Sequence, residues 1–453
     1  MSVRDSVRLV NRGWIVSAAS FLVFGGVLSP MTVYGRLFVD IETELGTTAV
    51  QTGWIASMTW GMCFFGSPIS ERLEKYISYR SLTVIGSSLT ALTIFLSSLM
   101  DSFPGLLVLY GIGYGTASNF VIHSVMCVIF EHLPHRHRIL ASGIAFSGSS
   151  LATIGLVVAY EKLLPVIGWR FVLRLTSFFT ALVAVPASFL ISEPPHRRRT
   201  SILNKLRSDK KTPPNNTESN SSHATVDKHQ NEESQTHEAD DGLKTETWTT
   251  LLKAPMTWLF FFAIFLPTMT WSVYWINIVS YFDSIHVTEA CLNNLLTVQP
   301  IFELIGKIGI GIIAESVPHC TLLICHNLLF FVTTLLITFV PVYKVLLLCS
   351  ILIGTGRGIY NVLPYSVSTQ ILPDHVNDKA ITLTMIAYGF GFTFGTLPAG
   401  AIYDVTGSYT YAFVLNAGWC LIGAILLLCV EVLRSFRNNE AAAIDQSCQA
   451  TSV

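Results

Sequence analysis

Residues 14–34 read WIVSAASFLVFGGVLSPMTVY, and this stretch carries no charged side chain. About twenty apolar residues are what a helix needs to cross the ~30 Å hydrocarbon core of a bilayer. Eleven further blocks of similar character follow it along the chain: 49–69, 81–99, 104–129, 139–159, 171–191, 255–281, 292–314, 321–340, 344–371, 379–402 and 409–431. The sequence therefore predicts an all-α membrane protein with twelve transmembrane helices, numbered below as spans 1 to 12.

The composition of the chain agrees with this fold class. Of 453 residues, 51% are hydrophobic and 13% are charged, against roughly a quarter charged in soluble domains. The ten-residue alternation of a β-barrel is absent from the sequence. The net charge of -1 gives no indication of a nucleic-acid partner. The nine cysteines show no ligand spacing, and no P-loop or enzyme signature occurs, so we expect neither a metal, a cofactor nor catalysis.

The spans divide into two groups of six, separated by a stretch of different composition. Residues 193–250 are rich in Asn, Ser, Thr, Lys, Glu and His and almost lack large apolar side chains, which predicts a disordered linker. We therefore expect an N-terminal half at 1–192, a C-terminal half at 251–435 and a tail at 436–453. Basic residues near the span ends collect on one side, with one uninformative loop near Glu315. Both termini, the linker and the tail are accordingly predicted to be cytoplasmic, in the plasma membrane.

An internal repeat relates the two halves. Residues 111–115 read GIGYG in span 4, and residues 354–358 read GTGRG in span 10, at an offset of 243 residues. Residues 144–146 (IAF) and 386–388 (IAY) match at an offset of 242, and Tyr160-Glu161 matches Tyr403-Asp404 at 243. Two parallel six-span repeats, with a substrate site between them at the midplane, are the arrangement of major facilitators.

Several stretches resemble one family. Gly53-Trp54-Ile55, HRHRILASGIAFSGSS (135–150), NNLLTVQPIFELIGKIGIG (293–311) and AIYDVTGSYTYAF (401–413) are similar to monocarboxylate-transporter-like facilitators. The resemblance covers both halves and implies the major facilitator fold, a small-molecule substrate and, as in some relatives, a single-span accessory protein. The sequence differs from the family pattern at two positions of the site that the resemblance implies. The first span reads Pro30-Met31-Thr32, without the lysine of proton-coupled lactate carriers, and the basic residue four positions after Glu303 is lysine rather than arginine.

Three ionisable residues within the spans are the main candidates for function. Glu303 and Lys307 lie four residues apart, and therefore on one face of span 8. Ionisable side chains are costly within a span, so each is a functional hypothesis by default. Lys307 is a candidate substrate counter-ion and Glu303 a candidate proton-coupling residue. Arg357, in the glycine run of span 10, presents a planar fork that suits a substrate carboxylate. A purely structural pair of Glu303 with Lys307, or with Arg357, is the alternative.

Five further residues are weaker candidates. Asn119 and His123 lie four residues apart on span 4 and are candidates for substrate binding and for proton coupling, with hydrogen-bonded packing as the alternative for the histidine. Arg138, at the cytoplasmic start of span 5, is a candidate gating residue, or else a charge that only sets orientation. Trp275 in span 7 and Tyr34 in span 1 are candidates for the wall of a substrate cavity. Interfacial or lipid-facing packing is the alternative for Trp275.

The functional hypothesis is a secondary transporter that moves a small, monocarboxylate-like organic anion by alternating access, with proton coupling at Glu303 as an open question. Two alternatives remain. One is a facilitative uniporter of neutral or aromatic solutes, in which the three charged residues are structural. The other is a transport-inactive sensor or accessory protein whose linker carries the signal.

Overall fold

The computed structural model describes residues 3–193, 248–249, 251–372 and 377–451. Within these ranges the regular secondary structure is helical, and no strand occurs. In this described part, the residues up to Ser192 and those from Leu259 onward form one compact unit. The predicted linker lies outside the described residues except for Glu193, Trp248 and Thr249, so its disorder and the predicted domain limits stay predictions.

The N-terminal half contains spans 1 to 6. Its helices, in chain order, are Val3–Thr32, the 3₁₀ turn Tyr34–Arg36, Phe38–Leu45, Ala49–Phe65, Ser67–Leu73, Tyr79–Ser97, Phe103–Leu106, the π-helical segment Leu107–Tyr114, Gly115–His132 and His135–Ser188. The last of these contains spans 5 and 6, which meet at Gly168. That glycine has φ 72° and ψ 162°, a positive-φ backbone conformation that residues other than glycine rarely adopt.

The C-terminal half contains spans 7 to 12. Its helices are Pro255–Ser284, Glu289–Ile313, His319–Phe339, Tyr343–Tyr360, Leu363–Ile371, Asn377–Phe394, Thr396–Thr406 and Tyr409–Thr451. Spans 10 and 11 each consist of two consecutive helices from this series. The final helix continues through the predicted tail to Thr451.

The described helices account for all twelve predicted spans. Ten helical stretches have the length and the apolar composition to cross a membrane. Span 2, Ala49–Phe65, is shorter, with 17 residues. Spans 5 and 6 count as one of the ten because their helices run on through Gly168. The prediction of an all-α protein with twelve spans is therefore confirmed.

Equivalent glycines of the two repeats have equivalent packing roles. A Cβ placed on Gly115 of span 4 would lie 2.6 Å from the carbonyl oxygen of Thr59 in span 2. A Cβ placed on Gly358 of span 10 would lie 2.5 Å from the carbonyl oxygen of Glu303 in span 8. Each glycine thus allows two backbones to approach closely, as small residues do between membrane helices. Spans 2 and 4 in the N-terminal half and the equivalent spans 8 and 10 in the C-terminal half are therefore in contact, which agrees with the repeat.

Candidate functional site

A cavity of about 50 Å³ lies between the two halves. This is room for a few water molecules in the conformation described. Leu28, Thr32 and Ile122 of the N-terminal half contribute to its wall, but most of the wall is aromatic and comes from both halves: Trp60, Phe64, Phe146, Trp271, Trp275, Tyr360, Tyr365, Tyr388 and Phe392. Of the described residues that line the cavity, Glu303 and Arg357 are the charged ones.

Arg357 presents its guanidinium group to this cavity. Its Cζ atom lies 3.9 Å from the centre of the Trp275 ring, a cation–π contact. Its Nη1 atom lies 3.3 Å from Glu303 Oε2, so the ion pair that the sequence suggested is present. A guanidinium group carries five N–H donors in one plane. Among the contacts of the described residues Glu303 alone accepts from it, and donors therefore remain for a further acceptor in the cavity.

Glu303 lies between two cations. Its Oε1 atom lies 2.5 Å from Lys307 Nζ, the pair four residues apart on span 8, and its Oε2 atom faces Arg357. Asn361 Nδ2 donates a further hydrogen bond of 3.3 Å to Oε1. The carboxylate is buried, with about 4% of the residue exposed. One carboxylate against two cations leaves one positive charge unbalanced at this place.

Lys307 does not line the cavity, although it was predicted to bind the substrate. Its Nζ atom donates to three oxygens of span 5 in the other half: the Phe146 carbonyl at 3.1 Å, Ser149 Oγ at 3.0 Å and Ser150 Oγ at 2.8 Å. Gly143 of span 5 packs against the Lys307 backbone, where a Cβ would not fit. Together with Glu303, these contacts occupy the ammonium group. In this conformation Lys307 connects the two halves and balances Glu303, and its role in substrate binding stays a prediction.

Tyr34 and Asn119 lie away from the cavity. The Tyr34 hydroxyl donates to the Thr52 carbonyl at 3.3 Å, and its ring packs on Tyr110 at 5.2 Å between centroids. Asn119 Nδ2 donates to the Cys63 carbonyl at 2.7 Å and to a serine hydroxyl of the Ser67–Leu73 helix, while its Oδ1 atom accepts from Ser70 Oγ at 2.5 Å. Both side chains connect helices within the N-terminal half. In this conformation the structure does not bring either of them to a substrate, so their binding role stays a prediction.

His123 lies at a contact between the halves and does not line the cavity. Its Nδ1 atom lies 2.7 Å from Glu74 Oε1, and its Nε2 atom lies 3.2 Å from Thr382 Oγ1 of span 11. The Thr382 hydroxyl in turn donates to Glu71 Oε2 at 2.9 Å. The helix Ser67–Leu73, which follows span 2 and carries Glu71, thus contacts the other half. The proton-coupling role of His123 stays a prediction.

Arg138 is found at the turn between spans 4 and 5. Its Nε atom donates to the Leu133 carbonyl at 3.0 Å, and its Cζ atom lies 5.3 Å from the centre of the Phe130 ring. Both contacts are to the end of span 4 and its connection, within the N-terminal half. They agree with a role in shaping this turn, and gating by Arg138 stays a prediction.

The aromatic wall was largely missed from the sequence, although a signal for part of it was present. Phe146 and Tyr388 occupy matching positions of the IAF and IAY repeat motifs, and both line the cavity. A matched pair of aromatic residues in two parallel repeats is placed symmetrically about the interface between them. The repeat therefore indicated these two residues. Trp60, Tyr360 and Tyr365 carried no such signal.

A second polar cluster lies outside the spans, at the helix Phe38–Leu45. Glu44 accepts from Arg170 Nε at 2.8 Å and from Trp169 Nε1 at 2.5 Å. Arg170 also pairs with Asp101, Nη2 to Oδ1 at 2.8 Å. The hydrogen bond from Arg170, supported by that from Trp169, lowers the pKa of Glu44 below its usual value. The cluster connects two loops of the N-terminal half to the start of span 6.

The lowered pKa of Glu44 predicts an acid-sensitive contribution to stability. A carboxyl group whose pKa is depressed by folding stabilises the protein above its unfolded pKa, about 4.3, and loses this contribution as the pH falls through the folded value. Since the Glu44 side chain is 48% exposed, we expect less than about 1 kcal/mol. Thermal unfolding in detergent should show Glu44→Gln slightly less stable than wild type at pH 7, with the difference shrinking as the pH falls below about 4.3. A difference that grows toward acid pH would contradict this assignment.

Comparison with known proteins places the chain in a family. The profile described as Major Facilitator Superfamily matches residues 13–281 and 260–447. Monocarboxylate transporter 2 of Mus musculus is 23% identical over 425 residues, which cover 92% of this chain and 83% of that protein. Monocarboxylate transporter 10 of Danio rerio is 23% identical over 447 residues, covering 95% and 80%. The solved structure of the proton:xylose symporter XylE, bound to 6-bromo-6-deoxy-D-glucose, has a TM-score of 0.67 at 12% identity, covering 93% of this chain and 96% of that one.

Twelve spans in two repeats, with a cavity between the halves, define a secondary transporter, a class that works by alternating access. The chain belongs to the Major Facilitator Superfamily, and within it to the monocarboxylate-transporter-like family. It is a multi-pass membrane protein that transports a small molecule, and it is not an enzyme.

Proposed function

We propose that this transporter carries a small organic anion, monocarboxylate-like, whose carboxylate is bound by Arg357. The observation that supports this proposal is the guanidinium group of Arg357, which lines the cavity with donors still available. A planar guanidinium group pairs with a carboxylate through two parallel hydrogen bonds. The stacked Trp275 ring holds the guanidinium plane in place, and the other aromatic rings provide an apolar surface for the body of the substrate.

The charge of the site supports a substrate with a single negative charge. Glu303, Lys307 and Arg357 together leave one uncompensated positive charge. A buried charge without a partner is costly in a low-dielectric interior. While Glu303 is ionised, a bound monoanion removes this excess, whereas a neutral solute leaves it in place. When Glu303 is protonated, the monoanion returns the site to the net charge that it has when empty.

The same arrangement supports proton coupling at Glu303. Glu303 and the substrate carboxylate are both acceptors for Arg357, so they compete for its donors. A proton on Glu303 weakens its pairing with Arg357 and frees the guanidinium group for the substrate. A site that binds one proton and one monoanion together also has the same net charge loaded and empty. The halves then move the same buried charge in both directions.

Uptake of labelled carboxylates into proteoliposomes, with and without a pH gradient, tests the proposal. We expect an outside-acidic gradient to increase uptake, because Glu303 then receives its proton on the side from which the anion binds. Glu303→Gln should lose this pH response while still exchanging anion, since the amide cannot release a proton. The matched control is Glu161→Gln, which removes an exposed carboxylate in the same way and should keep the response. If carboxylate flux in the wild type did not depend on the pH gradient, proton coupling would be excluded and the protein would be a facilitative anion transporter.

A second candidate function rests on the aromatic wall. Three tryptophans and three tyrosines line the cavity, and such a wall also suits a neutral or aromatic solute. In that case Glu303 and Arg357 form a structural ion pair. Including aromatic amino acids and neutral solutes in the uptake panel distinguishes the two functions. Movement of these solutes, with no movement of any carboxylate, would exclude the anion proposal, and absence of all flux would favour the transport-inactive alternative.

The proposal also covers the orientation of the chain in the membrane and a protein partner. The basic residues at the span ends support cytoplasmic termini in a plasma-membrane protein. The sequence has two N-x-S/T sequons in the predicted linker, at Asn215 and Asn220. In this orientation they are on the cytoplasmic side and remain without glycans. The single-span accessory protein that the family resemblance implies stays a prediction.

A further inference from the structure

Three potential metal ligands lie together near the contact between the loop after span 2 and span 11. Glu74 ends the short helix Ser67–Leu73, and His123 and Cys127 follow each other at one turn's distance on span 4. One ligand atom of each residue lies within 4.8 Å of those of the other two. All three residues are buried, each at most 6% exposed. Sequence spacing did not indicate the cluster because Glu74 precedes His123 by 49 residues.

The hydrogen bonds around His123 determine which of its nitrogens is available. The single proton of the Thr382 hydroxyl is directed to Glu71 Oε2. With the Thr382 hydroxyl donating to Glu71, its oxygen accepts from His123 in the tautomer that carries a hydrogen on Nε2. Nδ1 is left to face Glu74 and Cys127. A metal-binding histidine commonly donates its second ring N–H to an oxygen that is itself oriented by a carboxylate, and His123, Thr382 and Glu71 form such a series.

Two of the three distances between ligand atoms are within about 1 Å of those in a zinc site, and the third, between Glu74 and Cys127, is at most 4.8 Å. Zinc bonds of about 2.0–2.3 Å in tetrahedral geometry separate neighbouring ligand atoms by roughly 3.3–3.7 Å. The Cys127 sulfur lies 3.8 Å from His123 Nδ1. Glu74 Oε1 lies closer to Nδ1, at 2.7 Å, because it forms a hydrogen bond there. A rotation of the carboxylate that moves Oε1 away by less than about 1 Å gives the required separation.

We propose that Glu74, His123 and Cys127 form a binding site for a thiophilic divalent cation, of which Zn²⁺ is the type. Binding displaces two protons, one from the Cys127 thiol and one from the hydrogen bond between His123 and Glu74. The bound Zn²⁺ is then matched by one thiolate and one carboxylate, with a neutral imidazole as third ligand. The cluster is neutral before and after this exchange, which is the condition for stable charge in a buried site.

Access to the site depends on the position of the two halves. Thr382 of span 11 is hydrogen-bonded to His123 Nε2 across the contact between the halves, and we expect the cation to enter when this contact opens. Once bound at Nδ1, the cation keeps the hydrogen on Nε2 and therefore maintains the hydrogen bond to Thr382. The expected consequence is a conformation in which the halves remain in contact here. The site is thus regulatory, and its ligand is distinct from the transported solute.

Metal binding to the purified full-length protein in detergent tests the proposal without any transport measurement. Cobalt(II) is the probe, because a thiolate ligand gives a near-ultraviolet charge-transfer absorption, and zinc is then titrated in competition. We expect one cobalt ion per chain with this absorption, displaced by zinc. Cys127→Ser should abolish the absorption and weaken zinc binding at least about tenfold, whereas Cys63→Ser, a buried cysteine of span 2, should leave both unchanged.

A second variant covers the case in which Cys127→Ser does not fold. Glu74→Gln keeps the thiol but removes one anionic ligand, and we expect it to weaken zinc binding by a similar factor. A zinc-dependent increase in thermal stability should follow the same order among the variants. Equal zinc affinity in wild type, Cys127→Ser and Glu74→Gln would overturn the proposal, as would cobalt binding without the thiolate absorption.

Discussion

Replacing Arg357 with glutamine is expected to lower carboxylate uptake by about 100-fold or more. Truncating one partner of a buried, hydrogen-bonded charge pair costs about 2–5 kcal/mol, and roughly 3 kcal/mol corresponds to 100-fold. Glutamine keeps a polar side chain but is shorter, and it provides neither the charge nor the second parallel donor. The measurement is the initial rate of labelled carboxylate uptake in proteoliposomes, over a range of substrate concentrations, normalised to folded protein.

Two further variants make this expectation specific to the guanidinium group. Arg357→Lys retains the charge but loses the planar fork and much of the stacking on Trp275, so we expect an intermediate rate. Arg174→Gln removes a cation from span 6 that does not line the cavity and donates to Ser98 Oγ at 3.2 Å. It should transport normally. Carboxylate uptake that survives in Arg357→Gln at more than a tenth of the wild-type rate would assign Arg357 to structure.

The fold was predictable from the sequence because each span carries its own signal. A block of about twenty apolar residues needs no knowledge of its neighbours to be identified as a membrane helix. The glycine runs of spans 4 and 10 likewise indicated close helix packing, which Gly115 and Gly358 provide. The pairing of Glu303 with Lys307 followed from helix periodicity alone. Each of these inferences depends on local sequence and on regular geometry.

The site was only partly predictable because it depends on which face of each helix meets which neighbour. Lys307 and Arg357 are both cations within spans, but Arg357 lines the cavity whereas Lys307 donates to span 5. Nothing in the local sequence shows which of the two side chains is on the helix face that is turned toward the cavity. Asn119 is a polar residue of the type found in binding sites, but its amide is instead occupied by the Cys63 carbonyl of span 2 and by Ser70 of the helix Ser67–Leu73. Glu74 lacked any signal, since its partner His123 is brought to it only by the fold.

The second large expected effect is on the stability of the protein, and it concerns the buried charges of Glu303, Lys307 and Arg357. Glu303→Gln is expected to destabilise the protein by about 3–5 kcal/mol at neutral pH in the absence of substrate, because it leaves two buried cations without a carboxylate. Lys307→Met should restore much of this loss when combined with Glu303→Gln. The double variant has one unbalanced positive charge, as the wild type does, and methionine fills most of the volume of the lysine stem. The measurement is a double-mutant cycle of unfolding in detergent.

The exposed pair of Glu44 and Arg170 is the matched control for this cycle. Its geometry is good, with Nε to Oε1 at 2.8 Å, but its side chains are 48% and 26% exposed. Solvent screens such pairs, so the coupling between Glu44→Gln and Arg170→Gln should stay below about 1 kcal/mol. The difference between the two cycles isolates burial as the cause. If the effects of Lys307→Met and Glu303→Gln on the free energy of unfolding were additive, charge balance would not be what holds Glu303 in place. The destabilisation caused by Lys307→Met would then come from its lost hydrogen bonds to span 5.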